Sequence, residues 1–244
     1  MKRVSFQGER GAYSEAALKS FFDDKIETTS CTTFAEALKN TEDNTTDSCV
    51  LPIENSLEGS VGESNDLLLS TKLNVVGEIY YRIRHCLIGI GSIKDTDTVY
   101  SHPQALGQCR QFIQKHSLKT VPSYDTAGSV KIIKDLNKTN IACIASKRAA
   151  EIFDVPIIHQ GIEDNTNNYT RFLVLSKEKN DEIERSKTSI IFSVKHEAGA
   201  LHKMINEFYQ YKVNLTKIES RPNKDTPWEY NFYVDFEGHV DSPS

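Results

Sequence analysis

The chain has 244 residues, enough for one large domain or two modest ones with a sizeable core. Acidic residues exceed basic ones by 34 − 29, a net charge of −5 without long single-sign blocks, which argues against nucleic-acid binding by the chain as a whole. The five cysteines (Cys31, Cys49, Cys86, Cys109, Cys143) are odd in number and form no C-x-x-C pair, which favours a reducing compartment and disfavours a disulfide scaffold or zinc site.

Short β-rich runs alternate with helical patterns, the signature of an α/β architecture. "KRVSF" predicts a strand, followed by a Gly-rich turn and the helix "SEAALKSFF". "SCVLPI" predicts the next strand, and "ENSLEGSVGESNDLLL" a turn leading into a helix. "LNVVGEIYYRIRHCLIGI" is β-rich and long enough for more than one strand. Three strand–helix pairs follow: "DTVYS" with "PQALGQCRQFIQKH", "TVPSY" with "TAGSVKIIKDL", and "IACIAS" with "KRAAEIF". "VPIIHQGI" and "TRFLVLS" then predict two more strands. The charged segment "KEKNDEIERSK" at 177–187 reads as a linker. After it the pattern restarts as β-α-β-β: "TSIIFSV", "AGALHKMINEFYQY", "VNLTKIESRP" and "WEYNFYVDFE". A ferredoxin-like unit normally continues with a further helix and strand, so this one is expected to be shortened at its C-terminus, Ser244.

No apolar signal region follows Lys2 and Arg3, and no apolar run approaches the length that crosses a bilayer. The expectation is a soluble, cytoplasmic protein without a membrane partner.

Several strands end in a hydroxyl residue that opens a helix, at Ser14, Ser101, Thr126 and Ser146. Each suits an N-cap, and Pro103 suits a first helical turn. Gathered at the carboxyl ends of strands, such turns would offer N–H groups to a small carboxylate. In "LPIENSLEGSVGE", Pro52 breaks a strand and Glu54-Asn55-Ser56 follows; a Glu in a closed cleft can become a proton donor. Thr170 and Arg171 stand directly before the apolar run Phe172-Leu173-Val174-Leu175, where an arginine must reach water or find an anion. Gly8 and Gly11 do not complete G-x-G-x-x-G, and there is no P-loop. His196 and His202 are six apart and share no helical face, so no metal site is expected.

The motifs "GERGAYSEAA", "LPIENSLEGSVGE", "SHPQALGQC", "DTAGSV", "IASKRAAEIF" and "GIEDNTNNYTRF" occur in this order and together resemble prephenate dehydratase over about the first 175 residues. The most diagnostic element is Asn168-x-Thr170-Arg171-Phe172, preceded by Asp164. "GAL" at Gly199, Ala200 and Leu201, and "ESRP" at Glu219, Ser220, Arg221 and Pro222, resemble the phenylalanine-binding motifs of the ACT-type domain that follows in this family.

The resemblance implies conversion of prephenate to phenylpyruvate with loss of water and carbon dioxide, without a cofactor. It implies a catalytic domain over 1–180, of two α/β lobes similar to periplasmic binding proteins, and an ACT-type domain over 188–244. The first lobe would take about 1–77 and 162–180, the second about 78–161. Arg171 would meet a substrate carboxylate, and Thr170 would hydrogen-bond the leaving hydroxyl. Either Thr170 or Glu54 is the acid. Asn55, Ser101, Gln108, Thr126 and Asn168 would bind substrate, with Phe172 packing the cleft wall. The ACT-type domain implies feedback by L-phenylalanine at a site between subunits, hence a homodimer or homotetramer. Two departures, His202 after "GAL" and the missing last helix and strand, lead us to expect weak or absent inhibition. Gly128-Ser129 departs from an Ala-rich version common in the family, which keeps arogenate open as substrate. A non-catalytic amino-acid sensor is the rival from another class.

Overall fold

The computed structural model describes every residue except 23–24, 182, 184, 225 and 242–244. Two positions of the expected linker, and position 225 and the end of the expected second domain, therefore lie outside the described residues. The chain divides into two units, Met1–Lys179 and Asn180–Ser244.

The first unit contains two sheets. Strands β1 (Lys2–Gln7), β2 (Ile26–Cys31), β3 (Ser48–Asn55), β4 (Gly59–Ser60) and β5 (Asn74–Arg82) begin the first sheet. The chain then builds the second from β6 (Cys86–Ile88), β7 (Thr98–Ser101), β8 (Lys119–Pro122), β9 (Ile141–Ala145) and β10 (Ile157–Gln160). It returns to the first sheet as β11 (Tyr169–Ser176). The strand orders are β2-β1-β3-β11-β5, with β4 beside β3, and β10-β6-β9-β7-β8.

Why Phe172 to Leu175 is an unbroken apolar run follows from this placement. Strand β11 lies between β3 and β5, and both of its faces are covered. Phe172 and Val174 pack with Val4, Phe6, Ala17 and Leu18 on one face, while Leu173 and Leu175 pack with Ala37, Leu38, Cys49 and Leu51 on the other. A strand covered on both sides has no solvent face to mark with polar residues. Burying each large side chain there contributes about 1.5–3 kcal/mol.

Three features differ from the sequence reading. Strand β2 and the helix Phe34–Glu42 were not anticipated. In "IETTSC" only the two end residues, Ile26 and Cys31, are buried, so an edge strand carries little apolar signal. The helix expected over "PQALGQCRQFIQKH" is two, Pro103–Gln108 and Arg110–Lys115, interrupted at Cys109. The Asp164 carboxylate accepts the Gln111 N–H at 3.0 Å and so holds the second helix start. The lobe boundaries also move. Strand β5 stays paired to β11 as far as Arg82 because Ile79 belongs to the first core, and Ile162 packs in the second lobe's core.

The second unit contains β12 (Lys187–Ser193), the helix Ala200–Gln210, β13 (Leu215–Pro222) and β14 (Tyr230–Glu237). Its antiparallel sheet has the order β12-β14-β13, so β13 is an edge. Phe192 stacks on Phe232, and Phe208 of the helix packs on Phe236. Among the described residues no helix is long and apolar enough to cross a membrane.

Candidate active site

A cleft of about 400 Å³ opens in the first unit, lined from the first sheet by Gln7, Pro52, Asn55, Thr170 and Phe172 and from the second lobe by residues including His85, Gln108, Thr126 and Ser146. This is the low end of the usual range for small-molecule sites.

The pairing of β3 with β11 decides which side chains reach it. Thr170 lies opposite Asn55, and Arg171 opposite Glu54. The register then shifts, so that Phe172 lies opposite Pro52. This irregularity turns both Pro52 and Asn55 to the cleft, beside Thr170 and Phe172. Neighbouring residues on a strand point to opposite faces, so Glu54 and Arg171 are directed away.

Two expectations are corrected by this geometry. Arg171 does not line the cleft: its Nε donates to Glu78 Oε2 at 2.8 Å, and its guanidinium lies over the Tyr80 ring. The anion that lets an arginine stand at the mouth of a buried strand is a neighbouring carboxylate. Glu54 is likewise outside the cleft lining, which removes the geometric basis for making it the acid.

Behind Thr170 runs a buried chain of amides whose polarity can be worked out from one end. The Asn55 Oδ1 accepts the backbone N–H groups of Leu57 and Glu58, at 3.0 and 3.1 Å. Its Nδ2 must therefore be the donor to Thr170 Oγ1 at 3.0 Å and to Asn168 Oδ1 at 2.8 Å. The Asn168 Nδ2 in turn donates to Gln108 Oε1 at 2.9 Å. The same oxygen lies 2.9 Å from His85 Nε2, so the hydrogen must be on that nitrogen. His85 Nδ1 is then an acceptor, 2.9 Å from the Tyr13 hydroxyl, whose hydrogen also has the Arg84 carbonyl within reach at 2.8 Å. With Asn55 donating to it, the Thr170 oxygen acts as an acceptor and its own hydrogen can point into the cleft.

Burial lowers the His85 pKa against the opposing effects of Gln108 and Glu163, so the ring is held neutral. Burial also raises Tyr13 well above the ordinary phenol value, which keeps its proton in place.

Of the residues assigned to substrate binding, Asn55, Gln108, Thr126 and Phe172 line the cleft. Asn168 does not; fully buried, it links Asn55 to Gln108. Ser101 does not either, because its hydroxyl donates into β9 at the Ile144 carbonyl, 2.6 Å away. Tyr13, His85, His102 and Asp125 reach the cleft without having been singled out. Nothing in their spacing marks them, since they meet only through the packing of the two lobes.

Several helix starts do gather at the cleft, though most are held by other residues than those expected. Ser146 alone caps as anticipated, accepting from Ala149 N at 2.9 Å while its hydroxyl donates to the Gly11 carbonyl at 2.7 Å. Asp125 rather than Thr126 accepts from Gly128 N, and His102 rather than Ser101 accepts from Gln104 N. Ser14 lies within its helix, Tyr13–Phe22, where the Glu15 carboxylate accepts from Gly11 N. A methyl on Gly128 would meet the Tyr124 hydroxyl at 2.5 Å, so this glycine lets the tyrosine close over the helix start. Among the described residues no Lys or Arg side chain lines the cleft.

In the second unit, Gly199 holds φ +83° with open space around it and precedes Ala200 and Leu201 at the helix start. Glu219, Ser220, Arg221 and Pro222 lie on edge strand β13, with Glu219 Oε2 3.3 Å from Lys217 Nζ.

Fold and cleft together define the class: a two-sheet α/β unit whose cleft is lined by neutral hydrogen-bonding groups and Asp125. The chain belongs to the prephenate dehydratase family, whose sequence profile matches residues 4–180. An arogenate dehydratase/prephenate dehydratase of Arabidopsis thaliana is 40% identical over 98% of this chain and 65% of its own length. The chain thus spans slightly less than two thirds of that relative. The prephenate dehydratase of Methanocaldococcus jannaschii is 38% identical over 98% of this chain and 89% of its own length. Among solved structures, one described as a novel type of quorum-quenching acylase has a TM-score of 0.90 at 31% identity, covering 99% of this chain and 89% of that one. A prephenate dehydratase from Arthrobacter aurescens in complex with L-Phe has a TM-score of 0.89 at 27% identity, covering 98% of this chain and 81% of that one.

Proposed function

We propose that the chain converts prephenate to phenylpyruvate, with loss of water and carbon dioxide. The observation that carries this reading is the Thr170 hydroxyl in the cleft lining, where an Asn55 N–H donates to its oxygen and leaves its own hydrogen free to point into the cleft. In this reaction the ring carboxylate leaves as carbon dioxide, its bonding pair enters the ring, and the ring hydroxyl departs with a proton as water. Thr170 stabilises the departing oxygen by a hydrogen bond that strengthens as negative charge develops there. A threonine hydroxyl is too weak an acid to protonate it outright, and the proton comes ultimately from solvent.

Neutral donors suit the remaining task. A guanidinium against the ring carboxylate would stabilise the charge that has to leave it, favouring the ground state over the transition state. The Gln108 amide and the backbone N–H groups of helix starts bind a carboxylate more weakly, and Thr126 and Phe172 complete the pocket. Arg171 becomes a residue that fixes the geometry of β11 through Glu78.

A second substrate, arogenate, is favoured by the name of the Arabidopsis relative and by Asp125, a cleft carboxylate that an ammonium could approach. Steady-state turnover of purified chain on prephenate and on arogenate tests both. The proposal expects a higher kcat/KM for prephenate; the reverse ranking would replace it with the arogenate reading, and turnover of neither would sink both. Acylase activity, by which the solved neighbour is described, would then be the next assay.

For the second unit we propose an ACT-type domain over 188–244 that takes L-phenylalanine as effector through Gly199, Ala200, Leu201 and the segment Glu219 to Pro222, with inhibition that is weak or absent, in a homodimer or homotetramer. Its β-α-β-β order and the open approach at Gly199 support this, as does the Arthrobacter relative crystallised with L-Phe. Five buried thiols without a disulfide support a cytoplasmic location.

A further inference from the structure

We propose that His85 is a positioning residue for Gln108, holding the Gln108 amide so that its NH2 group faces the cleft. The inference rests on the dehydratase reading only for its kinetic test. Gln108 Oε1 receives two donors, Asn168 Nδ2 and His85 Nε2, both at 2.9 Å. A carbonyl oxygen has two lone pairs, so this end of the amide is saturated inside the protein. The other end, Nε2, is the part left to the cleft that Gln108 lines.

The arrangement requires one tautomer of His85. A hydrogen on Nδ1 alone would make Nε2 an acceptor, and Gln108 would have to turn its NH2 group inward to satisfy it. That NH2 would then confront the Asn168 NH2, whose direction is fixed through Asn55 by the backbone N–H groups of Leu57 and Glu58. The Tyr13 hydroxyl lies 2.9 Å from Nδ1 and 2.8 Å from the Arg84 carbonyl, so its single hydrogen serves two acceptors and the tautomer is selected from the Gln108 side. The backbone N–H of His85 donates to Glu163 Oε2 at 3.0 Å, which fixes the main chain that carries the ring. The result is that a cleft otherwise poor in cations presents a pair of N–H donors of fixed direction to an anionic group of the substrate.

Two measurements test this. Nitrogen-15 NMR of the histidine rings in the wild-type chain, with the His85 signals assigned by their loss in His85→Gln, reports the tautomer without any substrate. The Nε2–H form is expected, and the Nδ1–H form would overturn the proposal. Kinetics on prephenate supply the second arm, using His85→Leu, His85→Gln, Gln108→Ala and the His85→Leu/Gln108→Ala double variant. His85→Leu is expected to lower kcat/KM by about 10- to 100-fold, the effect of one charge-assisted hydrogen bond. His85→Gln, whose amide nitrogen can stand where Nε2 stood, should recover most of the loss. In the Gln108→Ala background His85→Leu should cost less than about 3-fold, because its effect passes through Gln108. Multiplying losses, or no rescue by His85→Gln, would show a general structural role and contradict the proposal. A wild-type chain inactive on prephenate would instead contradict the dehydratase reading, and the tautomer would still decide this one.

Discussion

Thr170 owes its position to strand pairing and its polarity to a neighbour. Asn55, directly opposite on β3, has its oxygen occupied by two backbone N–H groups and can offer Thr170 only N–H. Asn55→Asp replaces that donor with an acceptor, so the Thr170 hydrogen would be drawn back from the cleft. We expect kcat to fall about 100-fold, comparable to losing one transition-state donor, in a steady-state assay on prephenate. A variant with wild-type kcat would refute this polarity. Arg171 offers the contrasting case. The sequence motif puts it next to Thr170, but alternation along the strand directs it to Glu78. Arg171→Met should lower stability by about 1–3 kcal/mol in urea unfolding, the value of a hydrogen bond between charged groups. The KM for prephenate should move much less; a KM rise of 100-fold with unchanged stability would put Arg171 back in the cleft.

At the scale of elements, the cleft depends on close approach between lobes. Gly11 holds φ +88°, and a Cβ there would lie 2.6 Å from the Ala149 Cα, a backbone atom with no room to move aside. Gly11→Ala is therefore expected to destabilise the chain by about 1–3 kcal/mol and to separate the turn from Ser146. An unchanged thermal midpoint would contradict that packing. The glycine is visible in the sequence, whereas its partner, 138 residues along the chain (149 − 11), is not. The same limit applies to the strands. Apolar runs such as "SCVLPI" and "FLVLS" announce β3 and β11, because both are buried, while β2 carries buried residues only at its ends. The register shift between Arg171 and Phe172 is also invisible in the sequence, and it decides that Asn55 rather than Glu54 faces the cleft.

For the molecule as a whole, the α/β alternation and the restart after the charged segment were legible from periodicity and punctuation, whereas the return of β11 to the first sheet followed from the family resemblance alone. The buried chain from Thr170 to Tyr13 was not, since it joins side chains from both lobes. That chain also bears on pH stability. His85 is neutral when folded, with a pKa below its ordinary 6.5, so the unfolded chain takes up the proton first. Its contribution is whole above about pH 6.5 and is lost as pH falls towards and through the folded value. Urea midpoints measured against pH should decline more steeply below pH 6.5 for wild type than for His85→Gln; parallel curves would contradict a buried neutral ring.

The central claim is that Thr170 supplies the hydrogen bond on which loss of water from prephenate depends. Its most direct test is phenylpyruvate formation from prephenate by wild type, Thr170→Val and Thr170→Ser, with prephenate binding measured alongside. We predict product with wild type, retention of most activity when the hydroxyl is kept in Thr170→Ser, and a fall in kcat of about 100- to 1000-fold with binding preserved in Thr170→Val. A Thr170→Val variant that turns over prephenate like wild type would contradict the account.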